Sequence, residues 1–440
     1  MRVLTALLYG DDKVPITFNS ISITKNEEVK GNKMTINIDN PNYIMEDGQL
    51  KFKIEEGLLL YAKCDYDGTP LDTGTASNDL IFTGTIQSIK LRTSDKFRCT
   101  IECTDTTFEL LNRLWGKNYV NMTAPEMIQN LIDMSSRTSK GTYMVTTELD
   151  NNFPYTSGIQ NKRSDTGTPS TDNFPLYNFG KSHKPIFEWI DELSQTSYTN
   201  TTDEINNSTE MFKRPFRYFI DPQNKFHWFY PTDTPDYYFK YGSTEPISPD
   251  TKQHRIIHED LEFSQFDQTN FIIFKSGEDM NNVQVLWYDL DPASGALTTA
   301  DSFRNWEDIA REMKKEDLSN ISFVESDKFD YPTTYPVTPL WDSQQREVYN
   351  DSEYNNNFRE EATRRGVNRC KRVFQRTGNP RWKGKITIHG ENIQPTTLIN
   401  YSSRFGLVKI KLRVTSLNHT IDKDTFLTVI NCEEDDKEVN

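Results

Sequence analysis

Several spacings in this sequence match ones that catalysis uses, and each also matches an ordinary turn or strand. Asp72-Thr73-Gly74-Thr75 and its echo Asp165-Thr166-Gly167-Thr168 have the form of the twin tetrads that bring two carboxylates together in acid proteases. Such loops follow apolar strands. Here Pro70-Leu71 and Arg163-Ser164 precede them and Pro169 follows the second, so both read as turns. Gly180-Lys181-Ser182 ends like a phosphate-cradling loop, but the earlier glycine would fall at Pro175, which has no N–H to offer an anion. His254 and His258 have zinc-protease spacing, yet Arg255 stands where the general base should be and no helical pattern surrounds them. Asp65-Tyr66-Asp67-Gly68 opens like a calcium loop without the later ligands. The six histidines form no Ser/His/Asp constellation, and His389 and His419 read as residues of a barrel. No residue is therefore assigned to catalysis, a cofactor or a metal, and the chain reads as a non-enzyme.

One charge feature points to binding instead. Arg359, Arg364, Arg365, Arg369, Lys371, Arg372 and Arg376 face only Glu360 and Glu361 in a helical stretch from about Asn356 to Arg376, a basic island in an acidic chain. Arg364, Arg365, Arg369 and Arg372 are expected to dock an acidic surface of a neighbouring subunit or tail protein, because guanidinium forks make directional contacts with carboxylates. The plain alternative is a solvated helix face.

The elements that must carry these groups are mostly strands. Aromatic residues reach 12% of the chain while apolar residues are only 35%, a balance of sheets rather than of a Leu/Ala bundle. The 440 residues exceed what one core usually serves, and two to four domains follow. A balance of 65 acidic against 50 basic residues, net −15, argues against a surface that holds nucleic acid by neutralising phosphate. Met1 to Tyr9 lacks the length and cleavage site of a signal peptide, and no later run reaches membrane-spanning length, so no membrane insertion is expected. Five cysteines, an odd number, read as free thiols made in a reducing cytoplasm, with Cys99 and Cys103 on one face of a strand.

Apolar residues alternate through Ile16, Phe18, Ile21, Ile23, Met34, Ile36 and Ile38, and strands recur at Leu50–Ile54, Leu58–Cys64, Leu80–Ile86 and Phe97–Cys103, as in a small β-barrel or sandwich. Thr106 with Glu109, and Thr123 with Glu126, make capping boxes for two helices expected to close that barrel, the first with Leu110, Leu111, Leu114 and Trp115 on its apolar face. A polar stretch from Arg137 to Lys181 reads as loop. Pro185 opens a third helix, a hairpin follows over Phe216–Tyr230, and Phe271–Phe274 pairs with Val283–Trp287. A helix over about Phe303–Met313 and an extended segment Tyr331–Pro339 lead to the basic helix. Strands Gly384–His389, Leu407–Ser416 and Thr425–Asn431 end in an acidic, solvated tail.

In this order the parts resemble the tail and baseplate hub proteins of phages, including the late-control protein D group, with type VI secretion spike proteins as cousins. Leu80 to Ile89, with Phe82, Gly84 and Ile86, is similar to the strand-Gly-strand entry of that family's first barrel, followed by an Asp-led helix at Asp105. The Pro185 helix with its hairpin resembles the family's insert, and Thr269-Asn270-Phe271-Ile272 its passage into the second barrel. At the C-terminus, Pro380, Gly390, Pro395, Leu407–Ser416, His419, Asp422 and Thr425–Val429 resemble a barrel half with a His between its last two strands.

The resemblance implies a mainly β chain with α insertions (α+β), two similar hub β-barrels being flanked and interrupted by α/β insert regions. A first tube-like barrel is expected over 1–120, a helix-plus-hairpin insert over 121–245, the first part of a second barrel over 246–300, a helical and extended insert over 301–380, the barrel's completion over 381–434 and an acidic tail over 435–440. The implied function is a homotrimeric tail-tip hub that adapts a hexameric tail tube to a trimeric central spike and leaves a channel for DNA in transit. Its partners would be itself, the tail tube protein, the spike protein and other baseplate proteins, in a virion assembled in the host cytoplasm. A tail-associated lysin or protease and a secretion-system spike fragment are the alternatives. The end at Asn440, directly after the last strands, favours a spike carried by a separate protein.

Overall fold

The computed structural model describes residues 2–26, 31–65, 68–92, 97–136, 145–150, 158–161, 176–196, 216–231, 234–241, 253–264, 271–275, 285–290, 297–299, 321–325, 340–341, 347–348, 381–404 and 408–435. The N-terminal module holds β1 (Arg2–Tyr9), β2 (Val14–Ile16), β3 (Ser20–Asn26), β4 (Lys33–Ile38), the short helix α1 (Pro41–Ile44), β5 (Met45–Glu46), β6 (Gln49–Leu50), β7 (Gly57–Asp65), β8 (Leu80–Arg92) and β9 (Arg98–Thr104). The middle holds α2 (Thr106–Leu111), β10 (Leu114–Thr123), α3 (Ala124–Ser135), β11 (Leu149–Asp150), β12 (Ile159–Gln160), β13 (Leu176–Pro185), α4 (Ile186–Thr196), β14 (Arg217–Ile220) and β15 (Phe226–Phe229). Next come β16 (Tyr237–Tyr241), β17 (Gln253–Ser264), a separate four-stranded sheet of β18 (Phe271–Lys275), β19 (Val285–Leu290), β20 (Leu297–Thr299) and β21 (Ile321–Glu325), and the pair β22 (Leu340–Trp341) and β23 (Glu347–Val348). The chain closes with β24 (Arg381–His389), β25 (Leu398–Ser402), β26 (Lys409–Asp422) and β27 (Phe426–Glu434).

Strict alternation explains why these segments are strands with one buried face. Ile21 and Ile23 of β3, Met34, Ile36 and Ile38 of β4, and Cys99, Ile101 and Cys103 of β9 all point inward. In β27 every second residue from Phe426 to Glu434 is buried. Thirteen strands form one sheet in the order β2-β1-β7-β8-β9-β4-β3-β26-β25-β16-β17-β24-β27, and β27 pairs back onto β26. The last six strands therefore close into a six-stranded barrel around Ile256, Ile386, Ile388, Ile399, Leu412, Val414 and Leu417.

The barrel's six strands have counterparts in the N-terminal module. In chain order and in neighbour order, β1, β3, β4, β7, β8 and β9 correspond to β16, β17, β24, β25, β26 and β27. The pairings β7–β8, β8–β9, β9–β4 and β4–β3 are antiparallel, as are β25–β26, β26–β27, β27–β24 and β24–β17. A bulge between Ile86 and Ser88 of β8 recurs between Val414 and Ser416 of β26. Superposing the bulges sets Cys103 on Cys432, Ile101 on Ile430, Ile36 on Ile386 and Leu58 on Ile399, all of them buried.

The first barrel expected from the sequence does not close by strand pairing among the described residues. β16 lies parallel to β17 and β25, which shuts the C-terminal barrel, whereas β1 is antiparallel to β7 and is followed outward by β2. β2 is three residues long and carries Pro15, which lacks the N–H that a further ladder would use. The sheet still curls. Its two outermost strands are consecutive in the chain, and from Ile16 to Ser20 the backbone can span about 14 Å at most.

The helices depart from expectation in a second way. Rather than closing the first barrel, α2, α3 and α4 pack with β14 and β15 around Leu110, Met127, Ile128, Trp189, Phe216 and Trp228 in a core of their own. α3 has the predicted capping box: the Glu126 N–H donates to Thr123 Oγ1 at 3.4 Å, and the Thr123 N–H donates to Glu126 Oε2 at 2.9 Å. The first helix begins one residue earlier than its Thr-x-x-Glu pattern suggests, with Asp105 at the cap, while Thr106 Oγ1 donates to Asn224 Oδ1 at 2.9 Å. It stops at Leu111. Leu114 and Trp115, assigned to its apolar face, begin β10, which pairs with β13 out of the stretch read as loop, and Leu114 is 65% exposed.

Candidate interfaces and the buried joint

The catalytic-looking spacings resolve into backbone structure. Asp72 accepts from the Gly74 N–H at 2.9 Å and its carbonyl accepts from Ser77 Oγ at 2.8 Å, so the first tetrad is a self-satisfied turn; Asp165 lies outside the described residues. Gly180 and Lys181 sit within β13 opposite Asn118 and Lys117. His254 and His258 stand on β17 either side of a bulge, the first buried and the second exposed, and burial pulls the His254 imidazole down to about 4. Asp65 accepts from the Gly68 N–H at 2.6 Å. Among the described residues no three His, Cys, Asp or Glu side chains gather as a metal site. Cys99 and Cys103 are free and buried, and burial pushes their thiols up to about 11 and about 12. Arg364, Arg365, Arg369 and Arg372 lie outside the described residues, as do the helices expected over 303–313 and 356–376.

What the fold builds instead is a joint. β26 is 14 residues long, and β27 follows one edge from Leu412 to Ile421. Its other edge is divided: β25 takes Lys409–Arg413 and β3 takes Ser416–Asp422. One strand thus closes the barrel with its first half and holds the N-terminal sheet with its second. Ile421 and Phe426 reach into the N-terminal core, so the two modules share apolar packing as well as a ladder.

The joint has a polar row on its buried face. Lys25 and Leu417 are opposite each other, as are Ile23 and His419, which places Lys25 diagonal to His419 on the inward side. Lys25 is 2% exposed and Nζ donates to Asn392 Oδ1 at 3.1 Å. Asn392 Nδ2 donates to the carbonyls of Asn78 and Leu80, at 2.8 and 2.9 Å, tying the 390–397 loop to the N-terminal module. His419 Nδ1 lies 2.9 Å from Thr428 Oγ1, which also accepts from the Glu391 N–H at 3.3 Å. Burial lowers Lys25 to about 7 against the pull of Asp105 and Asp221, and burial followed by the Lys25 charge holds His419 well below the usual imidazole range. Sequence reading missed Lys25. The signal was its parity, since a lysine two residues after Ile23 on an alternating strand points into the core.

The acidic C-terminal run is also anchored at its start, where the sequence reading expected a solvated tail. Asp435 Oδ1 accepts from Arg413 Nε at 2.7 Å with both side chains buried, and Arg413 Nη1 donates to the Thr396 carbonyl at 2.8 Å. Glu434 Oε2 accepts from the Trp382 N–H at 3.2 Å. A buried Arg needs a carboxylate beside it, and this demand draws the first tail residues onto the barrel.

No protein-family model and no curated protein matches the chain. Solved structures do. A tail protein from Neisseria meningitidis is similar over 99% of this chain and 97% of that one, with 10% identity and a TM-score of 0.54. The 43 kDa tail protein of a prophage in Shewanella oneidensis is similar over 98% of both chains, with 10% identity and a TM-score of 0.55. A component of the E. coli type VI secretion system aligns over 97% of this chain and 76% of that one at 7% identity and a TM-score of 0.43. Taken from end to end, the chain has the fold of phage tail proteins.

Proposed function

We propose that this chain is the structural hub of a phage tail tip, a homotrimer that adapts the hexameric tail tube to a trimeric central spike and leaves a channel through which DNA passes. The observation that carries this reading is the repeated strand order: each chain supplies two modules of one topology, so three chains present six like modules to a six-fold ring. The curled N-terminal sheet stands in for a barrel in that ring, and the closed barrel alternates with it. The net charge of −15 favours a lumen from which phosphate is repelled. No catalytic group takes part. The tube, spike and other baseplate proteins are the partners, the virion is the location, and Arg364, Arg365, Arg369 and Arg372 dock an acidic neighbour.

Native mass spectrometry tests this directly. The expected species has three times the 51.2 kDa mass of the chain, and images of it show a three-fold ring with a central channel. A single-chain or two-chain mass under the same conditions overturns the reading. Reversing Arg365 and Arg369 to Glu is expected to leave the trimer intact and to abolish its incorporation into tails.

A further inference from the structure

The internal repeat relates each strand edge of one module to an edge of the other. In the C-terminal module the second half of β26 is the edge that β3 occupies. The counterpart of that edge is Ser88–Arg92 of β8, which has β9 on one side and, among the described residues, no strand on the other, because β7 pairs only as far as Thr85. The counterpart of β3 is β17. From Ile257 to Phe263 it has β24 on one side and no described strand on the other, because β16 stops pairing at Ile256. Among the described residues each chain therefore holds one occupied joint and, separately, both halves of an unoccupied one.

We propose that the free β8 edge of one copy of this chain pairs antiparallel with the free β17 edge of a second copy, in the register of the β3–β26 joint. The inference rests on the trimer reading, since three such head-to-tail contacts close a ring.

The register comes from the rest of the chain. In the occupied joint Leu417 is opposite Lys25, Asn418 opposite Thr24, His419 opposite Ile23 and Thr420 opposite Ser22. Aligning the bulges sets Leu417 to Thr420 on Ile89 to Arg92. Ile21 and Ile23 pair with Ile36 and Met34 as Glu259 and Leu261 pair with Ile386 and Gly384, which sets Ser22 to Lys25 on Asp260 to Phe263. Transferred between copies, Ile89 falls opposite Phe263, Lys90 opposite Glu262, Leu91 opposite Leu261 and Arg92 opposite Asp260. Two opposite-charge pairs lie on the outward face and two apolar pairs on the inward face, the combination that stabilises neighbouring strands.

The surfaces suit the contact. Leu91 is 41% and Phe263 50% exposed, a poor condition for apolar side chains on unpaired edges. The Phe263 ring lies tilted at 45° to that of Trp382, with centroids 5.3 Å apart, and is held ready on the barrel rim. Lys90 bonds Glu102 on its own sheet, so Glu262 of a second copy would extend a charge ladder already begun. The occupant is a second copy rather than a foreign strand because both complementary halves are written on one chain.

Charge exchange tests the pairing. In native mass spectra the trimer fraction is expected to fall about tenfold or more in Lys90→Glu/Arg92→Glu and in Asp260→Lys/Glu262→Lys, and to return when all four changes are combined. In a second measurement, Lys90→Cys with Glu262→Cys yields, after oxidation, covalent species of up to three chains on a non-reducing gel. A wild-type trimer that ignores the charge reversals, a fourfold variant that stays dissociated, or a trimer that forms no crosslink overturns the edge pairing and leaves the hub reading standing. A wild-type chain that runs as a single copy overturns both.

Discussion

The two modules of the main sheet use one strand order and reach different ends. In the C-terminal module the strand that begins the repeat, β16, runs parallel to both neighbours and seals a barrel; in the N-terminal module its counterpart β1 runs antiparallel and is flanked by a proline-bearing edge strand. The difference shows that a repeated hydrophobic pattern specifies which strands are neighbours, while closure depends on the direction and length of a single strand. It also shows where specificity is spent. The position that is Lys25 in the joint is Phe263 in the other module, a buried cation against a half-exposed aromatic.

The comparison is broken most severely through the paired isoleucines. Ile36→Ala and Ile386→Ala, at corresponding positions that are both fully buried, are each expected to cost about 4 kcal/mol in urea unfolding. If β26 couples the modules, either change lowers the midpoint reported by probes in both; two separable transitions would show that the joint does not transmit stability. Gly390 offers a sharper contrast. A Cβ there would lie 2.0 Å from the Phe426 ring, so Gly390→Ala is expected to cost about 3 kcal/mol. Asn40→Ala, at the corresponding place after β4, should change stability by no more than about 1 kcal/mol. A tolerant Gly390 would mean that Phe426 can leave the N-terminal core cheaply.

A milder gain carries a pH signature. Lys25 is lowered to about 7 by burial, from 10.5 in the unfolded chain, so between those values the unfolded state holds more protons. Stability therefore rises with pH from about 7 towards 10.5, and its deficit is complete below 7. Lys25→Met is expected to raise stability at pH 7 by about 2 kcal/mol and to flatten that rise. Thermal unfolding across the window checks it, and an unchanged slope would remove Lys25 as its source.

Much of this architecture was legible in the sequence, for a physical reason. Period-two alternation reports a strand with one wet face, and Ile21–Ile23, Met34–Ile38 and Cys99–Cys103 announce themselves that way. Closure left no such trace, because whether β16 runs parallel or antiparallel changes no residue's burial along the strand. The bulges hide the edges: after Ile86 the apolar positions of β8 shift to Ile89 and Leu91, so simple alternation ends in the sequence while the strand continues to Arg92. β13 went unseen because Leu176–Pro185 mixes polar and small residues. The basic helix was the one binding feature read from charge, and its residues lie outside those the structure describes.

The divided edge of β26 has a mechanical consequence. Tension drawing the N-terminal sheet away along the strand loads its ladder to β3 in shear, many hydrogen bonds at once, and passes through the same backbone into the seam that keeps the barrel shut. Slippage at one would unzip the other, so under load the two halves of the molecule should yield together, as one coupled unit.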